Sequence, residues 1–453
     1  MNFRVGLTST WLLLCVLLGG ASAGGWIANA ALQVLAIGII LLHAWSPGPP
    51  STRASRILLW LAAALAAVVL ATLVPLPPDV WTELPQRERV AESINLLGLP
   101  LPSLPVSLDT RRTVLSALSL LPAVATFLLA TRLTRDERLT VVKVLLGLAV
   151  AVVALGAAQL FGGAGSPLRF YDLTIPDRAV GTFANPNHMA TLLLMALPFS
   201  AALIGIALGD RKSKADRGVL YGVVALFLAV GIAVNGSLAG YGLLLPVGAL
   251  SFLLFRRASG RFRPRDLLIV GGLTLAVVAA SALGPLSGAR LDDELRDTPF
   301  GRKISIPTTA AAARDHFPVG SGLGTFRDLY RTYEAPENIS STFVNHAHND
   351  YVEFALELGL AGILLMAAVL AWVAVMAFKV WRAEFRGANL ARAASVALGV
   401  VILHSLVDYP LRTATIAAVA ALCCGFLLQP PEGPRRVRTN ANGPSGSRHL
   451  TAD

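Results

Sequence analysis

The sequence predicts an all-α, polytopic transmembrane helical bundle of about 12 spans. Three observations carry this. The 453 residues are 55% hydrophobic and only 14% charged, where a soluble domain would hold roughly 25% charged residues. Mean hydropathy is +0.64. Apolar runs of about 18 or more residues recur along the whole chain, each long enough to cross a hydrocarbon core of about 30 Å. No long soluble block is attached, so 1–428 reads as a single membrane domain. Residues 429–453, rich in Gly, Pro, Arg and Asn, read as a disordered cytoplasmic tail.

In order, the spans fall near 7–24, 26–45, 57–75, 113–131, 139–161, 187–208, 218–235, 238–255, 267–284, 353–378, 392–409 and 411–428. The first run is read as a retained span, not a cleaved signal, because many more follow it. Twelve spans put both termini on one side, and the positive-inside rule makes that side cytoplasmic. Its segments hold 24 Lys and Arg against 8 Asp and Glu, including Arg53 and Arg56, Arg132 to Arg138, Arg211 to Arg217, Arg256 to Arg265, and Lys379 to Arg392. The opposite side holds 14 against 19. The net charge of +11 is therefore a topogenic signal, and nucleic acid is not an expected partner. Three far-side loops result, near 76–112, 162–186 and 285–352, the longest between spans nine and ten. The first, with Pro100, Pro102 and Pro105, is expected along the membrane surface. Cys15, Cys423 and Cys424 all lie inside apolar runs, which leaves no disulfide framework or thiolate metal site.

Polar chemistry concentrates where far-side loops enter helices. The stretch 346–362, HAHNDYVEFALELGLAG, stacks His346, His348, Asn349 and Asp350 onto an apolar helix that is expected to run unbroken to about Phe378. Asn349 is a suitable N-cap, and Asp350 in the first turn faces the positive end of the helix dipole. In RAVGTFANPNHMA at 178–190, Asn185 before Pro186 is a second helix start, with Asn187 and His188 just inside it. Asn235-Gly236-Ser237 and Asp408-Tyr409-Pro410 are two more starts on the same face. Such ends attract anions, phosphate included. Arg178, Arg302 with Lys303, and Arg412 add guanidinium groups able to grip phosphate oxygens at two points. Arg314, Arg327 and Arg331 are read as ordinary surface cations.

His348 suits a general base, since an unperturbed imidazole titrates near pH 6.5. His346 could orient it, bind substrate or do nothing chemical; His188 could cap its helix or touch substrate. His346, His348 and Asp350 do not form a specific ligand spacing, and Asp292-Asp293-Glu294 reads as an acidic surface turn, so no metal is expected. Glu353 and Glu357 lie one turn apart on the tenth span, where an ionisable group faces a polar cavity or a partner. Gly320, Gly322 and Gly324 read as a flexible turn before a short amphipathic helix from Phe326 to Tyr333. They are not a nucleotide loop, for no P-loop Lys-Ser/Thr follows.

Taken together, the blocks at 178–190, 301–326 (GRKISIPTTAAAARDHFPVGSGLGTF), 346–362 and 404–412 (HSLVDYPLR) resemble the O-antigen ligase and Wzy-type polymerase superfamily of bacterial envelope proteins. That resemblance covers roughly 170 to 430. It implies metal-independent, inverting glycosyl transfer at the periplasmic face of the inner membrane, without a cofactor. The donor would be an undecaprenyl-pyrophosphate-linked glycan, and the acceptor lipid A-core or another lipid-linked glycan. By position, His348 matches the family's proposed base, and Arg178 and Arg302 match arginines thought to hold the donor pyrophosphate. One departure stands out: Ser237-Leu238-Ala239 replaces the Ser-Arg-Gly of many members. The rival class is a transporter or a lipid-linked glycan flippase without covalent chemistry. Few charges deep in the spans and no internal repeat count against it.

Overall fold

The computed structural model describes residues 2–430 except 23–24, 49–50, 173, 176, 210–214, 267, 269–301, 340–342 and 386. The chain begins with α1 (Phe3–Leu18), α2 (Trp26–Trp45) and α3 (Arg53–Ala71), followed by short α4 (Pro78–Trp81) and α5 (Glu88–Leu96). Next come α6 (Thr110–Leu118), α7 (Leu121–Thr131), α8 (Arg135–Phe161), α9 (Pro186–Gly209), α10 (Ala215–Asn235) and α11 (Leu238–Ala258). Later in the chain lie α12 (Arg302–Asp315) and α13 (Phe326–Tyr333), both within the long 285–352 loop, then α14 (Asp350–Arg382), α15 (Ala388–His404) and α16 (Ala414–Leu427). Among the described residues there is no strand, only an isolated antiparallel bridge between Leu76 and Leu104.

Among the described residues, eight helical segments are long and apolar enough to cross a membrane, with α6 and α7 counted as one. The apolar helices α1, α15 and α16 are shorter. The span expected near 267–284, the acidic 292–294 turn and tail residues 431–453 lie outside the described residues.

Local chemistry explains many of the boundaries. Thr134 and Glu137 form a reciprocal capping box that starts α8, and Ser237 caps α11 through the Gly240 N–H. Packing then organises the bundle around α9, the most enclosed of the long helices, which touches α8, α10, α11 and α15. Small residues allow these backbones to approach: Gly205 lies against Ala258, and Gly231 against Val153. Lipid is as apolar as leucine, so close packing of this kind, not water exclusion, holds membrane helices together.

One expectation about α14 is corrected here. The helix after Asn349 does break, at Gly359, whose φ of 55° and ψ of −140° are non-helical. A side chain there would run into the Pro318 carbonyl. The carbonyls freed by the break are taken up by the loop before α13. Ser321 N donates to Leu356 O at 3.0 Å and Gly322 N to Glu357 O at 2.8 Å, while Leu360 N donates to Pro318 O at 2.8 Å. The glycine-rich segment is thus stitched to the helix and is no loose turn.

The 76–112 loop folds onto that same segment. Leu108 N donates to Ser321 O at 2.8 Å, Thr113 Oγ1 to Leu323 O at 2.9 Å, and Arg112 pairs with Asp328 at 2.6 Å. Arg87 reaches back to the Pro105 and Val106 carbonyls, and buried Trp81 donates to Pro102 O at 2.8 Å. Together 72–109 and 302–333, bridged by the start of α6, make a cap. A small core of Ala312, Phe326, Tyr330, Val344, Ala347 and Leu356 lies beneath it.

Candidate functional site

Beneath the cap, the starts of α9, α11 and α14 meet the elbow between α15 and α16, and the start expected at Asp408-Tyr409-Pro410 is only a short 3-10 turn before α16. Asn349 accepts from the Tyr351 and Val352 N–H groups, both at 3.0 Å, and so caps α14. Asn185 accepts from Asn187 N at 2.8 Å as α9 begins. His348 precedes its cap with φ 55°, left-handed for a residue that is not glycine. His tolerates this region better than bulky residues do, yet the conformation still costs about 1–3 kcal/mol. The tight turn sets the imidazole edge-on to Tyr409, with centroids 5.0 Å apart, and leaves Nδ1 3.4 Å from Asp408 Oδ1. That separation fits an ion pair, but the angle misses a hydrogen bond, so Nδ1 has no hydrogen-bond partner among the described residues.

Asp408 sits in the elbow between α15 and α16 and is fully buried. Oδ2 accepts from Asn187 Nδ2 at 2.6 Å, and Oδ1 from Tyr409 N at 2.9 Å. Asn187 Oδ1 in turn accepts from Ser237 Oγ at 2.6 Å. Burial alone would raise the Asp408 carboxyl. The neighbouring imidazoles of His348, His188 and His404 more than offset this and hold it well below the usual carboxylate range. Asp408 is thus the carboxylate that stands behind His348.

Arg178 belongs to the same assembly. Its Nη1 donates to Gly236 O at 2.6 Å, one residue from Ser237. The backbone after it is held from both sides. Asn235 Nδ2 donates to Ala179 O at 2.6 Å, while Gln159 donates to Gly181 O at 2.7 Å and accepts from Gly181 N at 2.9 Å. Arg302 opens α12, within electrostatic reach of His404. Ser305 on the same turn donates to Ala347 O at 3.2 Å, beside His348. Among the described residues Arg302 Nε lacks a hydrogen-bond partner although it is buried. Arg178 is thus linked through short contacts to Asp408 beside His348, and Arg302 opens the helix whose Ser305 touches Ala347.

Arg412 is placed differently from the expectation of a phosphate grip. Its guanidinium reaches Glu357 Oε2 through Nη1 and Nη2, both at 3.1 Å, Glu353 at 3.3 Å and Asp350 at 3.6 Å. Three buried carboxylates occupy it. Asp350 also accepts from Ser405 Oγ at 2.8 Å. Its charge thus serves Arg412 and the α15 end as well as the dipole of its own helix.

His188 is buried, with its ring 5.1 Å from Tyr409 and neither nitrogen hydrogen-bonded among the described residues. His346 packs 4.4 Å from the same ring. Tyr409 is therefore surrounded by three imidazoles. Arg327 stacks on Phe343 at 3.8 Å, which accords with an ordinary cation; Lys303 is exposed. The residues that sequence reasoning missed are Gln159, Thr191, His404 and the central role of Tyr409. Thr191 Oγ1 and His404 Nδ1 lie 2.7 Å apart. A signal existed for Gln159, a lone amide in an apolar span, and for His404, which opens the 404–412 block.

The fold and this mouth define a polytopic helical membrane protein that gathers arginine, imidazole and helix starts at one end of its bundle. The model of the O-antigen ligase family matches residues 223–367, from within α10 into α14, taking in Arg302, His346 and His348. Over that stretch the chain is similar to the O-antigen ligase and Wzy-type superfamily. No curated protein matches it.

Proposed function

We propose that the protein catalyses inverting, metal-independent transfer of a glycan from undecaprenyl pyrophosphate to an acceptor hydroxyl. The reaction takes place at the periplasmic face of a bacterial inner membrane, and both chain termini are cytoplasmic. The observation that supports this most is the run of short contacts from Arg178 through Gly236, Ser237, Asn187 and Asp408 to His348. It ties a phosphate-gripping guanidinium to an imidazole backed by a carboxylate.

In this reading the acceptor O–H proton passes to His348 Nε2 while its oxygen attacks the anomeric carbon. The bond from that carbon to the diphosphate oxygen breaks on the opposite side, inverting the centre. Arg178 and Arg302 meet the negative charge that develops on the leaving diphosphate, where fixed positive charge contributes most to rate. Asp408 steadies the imidazolium that forms. The acceptor is lipid A-core or a second lipid-linked glycan, approaching beneath the cap.

The test uses purified protein in detergent with an undecaprenyl-pyrophosphate-linked glycan. Wild type is expected to form a covalent product in the presence of a chelator, while His348→Ala and Arg178→Ala stay folded but inactive, and Arg302→Ala loses its grip on the donor. Movement of the donor across vesicles without covalent transfer would replace this reading with that of a carrier.

A further inference from the structure

The glycosyl-transfer reading uses one imidazole, yet the better-anchored one is its neighbour. His346 Nδ1 lies 2.7 Å from Glu353 Oε1, inside hydrogen-bond range, whereas the corresponding contact of His348 is 3.4 Å. Glu353 is 1% exposed, and its other oxygen accepts from Ala347 N at 2.8 Å. Arg412 holds the same carboxylate at 3.3 Å. A buried, paired carboxylate can only accept here, so Nδ1 carries the proton of that bond. Nε2 is then the ring nitrogen left for a ligand. The ring itself is fixed between Tyr409, at 4.4 Å, and Phe326, at 6.5 Å and near-parallel at 16°. Phe326 opens α13 in the cap, while Tyr409 follows Asp408 in the elbow. His346 therefore stands where the cap meets the helix ends, on the side from which an acceptor enters.

We infer that His346, oriented by Glu353, is a second substrate-contacting residue: its Nε2 hydrogen-bonds an acceptor hydroxyl adjacent to the one that attacks. This rests on the glycosyl-transfer reading and adds to it the acceptor's chemistry, a sugar with two neighbouring free hydroxyls. The two imidazoles pack on one tyrosine ring, with centroids 4.4 and 5.0 Å from it, which keeps them close together at the same turn. One hydroxyl gives its proton to His348; the other keeps its proton and is held by His346. Glu353 acts through His346 as a positioning residue. Rigid anchoring from three directions gives this contact its selectivity.

The probe is a lipid-linked oligosaccharide repeat on which wild-type transfer is measured, together with analogues lacking one hydroxyl beside the glycosylated position. His346→Gln and His346→Ala are expected to raise the acceptor KM about tenfold, the worth of one hydrogen bond, leaving the donor KM and the pH dependence of kcat unchanged. Glu353→Gln shifts the acceptor KM in the same direction. One deoxy analogue should cost wild type the same factor and cost His346→Ala nothing further. Equal losses for both proteins on every analogue, or disappearance of a limb of the pH profile in the variant, overturns the inference. Should a variant fail to fold, wild type that is indifferent to every deoxy analogue overturns it equally. Wild type that transfers nothing to any acceptor sinks the glycosyl-transfer reading itself.

Discussion

Arg412 is the residue whose loss the structure makes most costly. Its guanidinium is shared by Glu357, Glu353 and Asp350 at 3.1 to 3.6 Å, and all three carboxylates are buried. Arg412→Met keeps much of the volume but strands three carboxylates. Removing one partner of a buried ion pair costs about 3–5 kcal/mol, because the remaining charge is left uncompensated. A loss of about 4 kcal/mol is roughly a thousandfold in the ratio of folded to unfolded protein. The half-exposed pair of Arg112 and Asp328 is the internal control, worth about 0–1 kcal/mol. Thermal unfolding in detergent micelles, followed by tryptophan fluorescence at fixed pH, should place Arg412→Met several degrees below wild type and Asp328→Ala close to it. The double variant Arg412→Met with Glu357→Gln should recover part of the loss, since one stranded charge has been removed with its partner. Arg412→Met within about 1 kcal/mol of wild type, or strictly additive effects in the double variant, would refute the account of the cluster.

Three further outcomes are expected. Asp408→Asn should lower kcat by about 10²–10⁴-fold with the donor KM held, as the imidazolium loses its counter-charge, measured in the transfer assay. Gly359→Ala meets both a positive φ and the Pro318 carbonyl; it should cost about 1–3 kcal/mol and speed protease cleavage near 318–322. Gln159→Leu frees the backbone beside Arg178 and should raise the donor KM about tenfold while leaving the acceptor KM unchanged.

Local features of the site were legible in the sequence because their partners lie within a few residues. Asn349 and Asn185 cap the helices that they precede, and α13 runs from Phe326 to Tyr333 as its amphipathic pattern requires. The run of contacts from Arg178 to Asp408 beside His348 joins motifs singled out by resemblance, not by spacing. What stayed hidden is long-range pairing. Glu357 and Arg412 each look like a stray charge at a helix end, and only folding brings α14 against the elbow before α16. The break at Gly359 was invisible because glycine inside LELGLAG scores as an ordinary apolar position; the carbonyl that excludes a side chain comes from Pro318. The partners of the 76–112 loop were hidden for the same reason: they lie at 321–328, two hundred residues downstream.

The interruption at Gly359 also separates two mechanical duties. Bilayers vary in thickness, and a spanning rod answers by changing its inclination. Here the rod from Leu360 to Arg382 is jointed to an upper stub, 350–358, which is fastened to the cap by its last carbonyls and to the elbow by Asp350, Glu353 and Glu357. The bearing of the histidine turn is thus set by the stub's own anchors, with the joint itself pinned on both sides by 318–322.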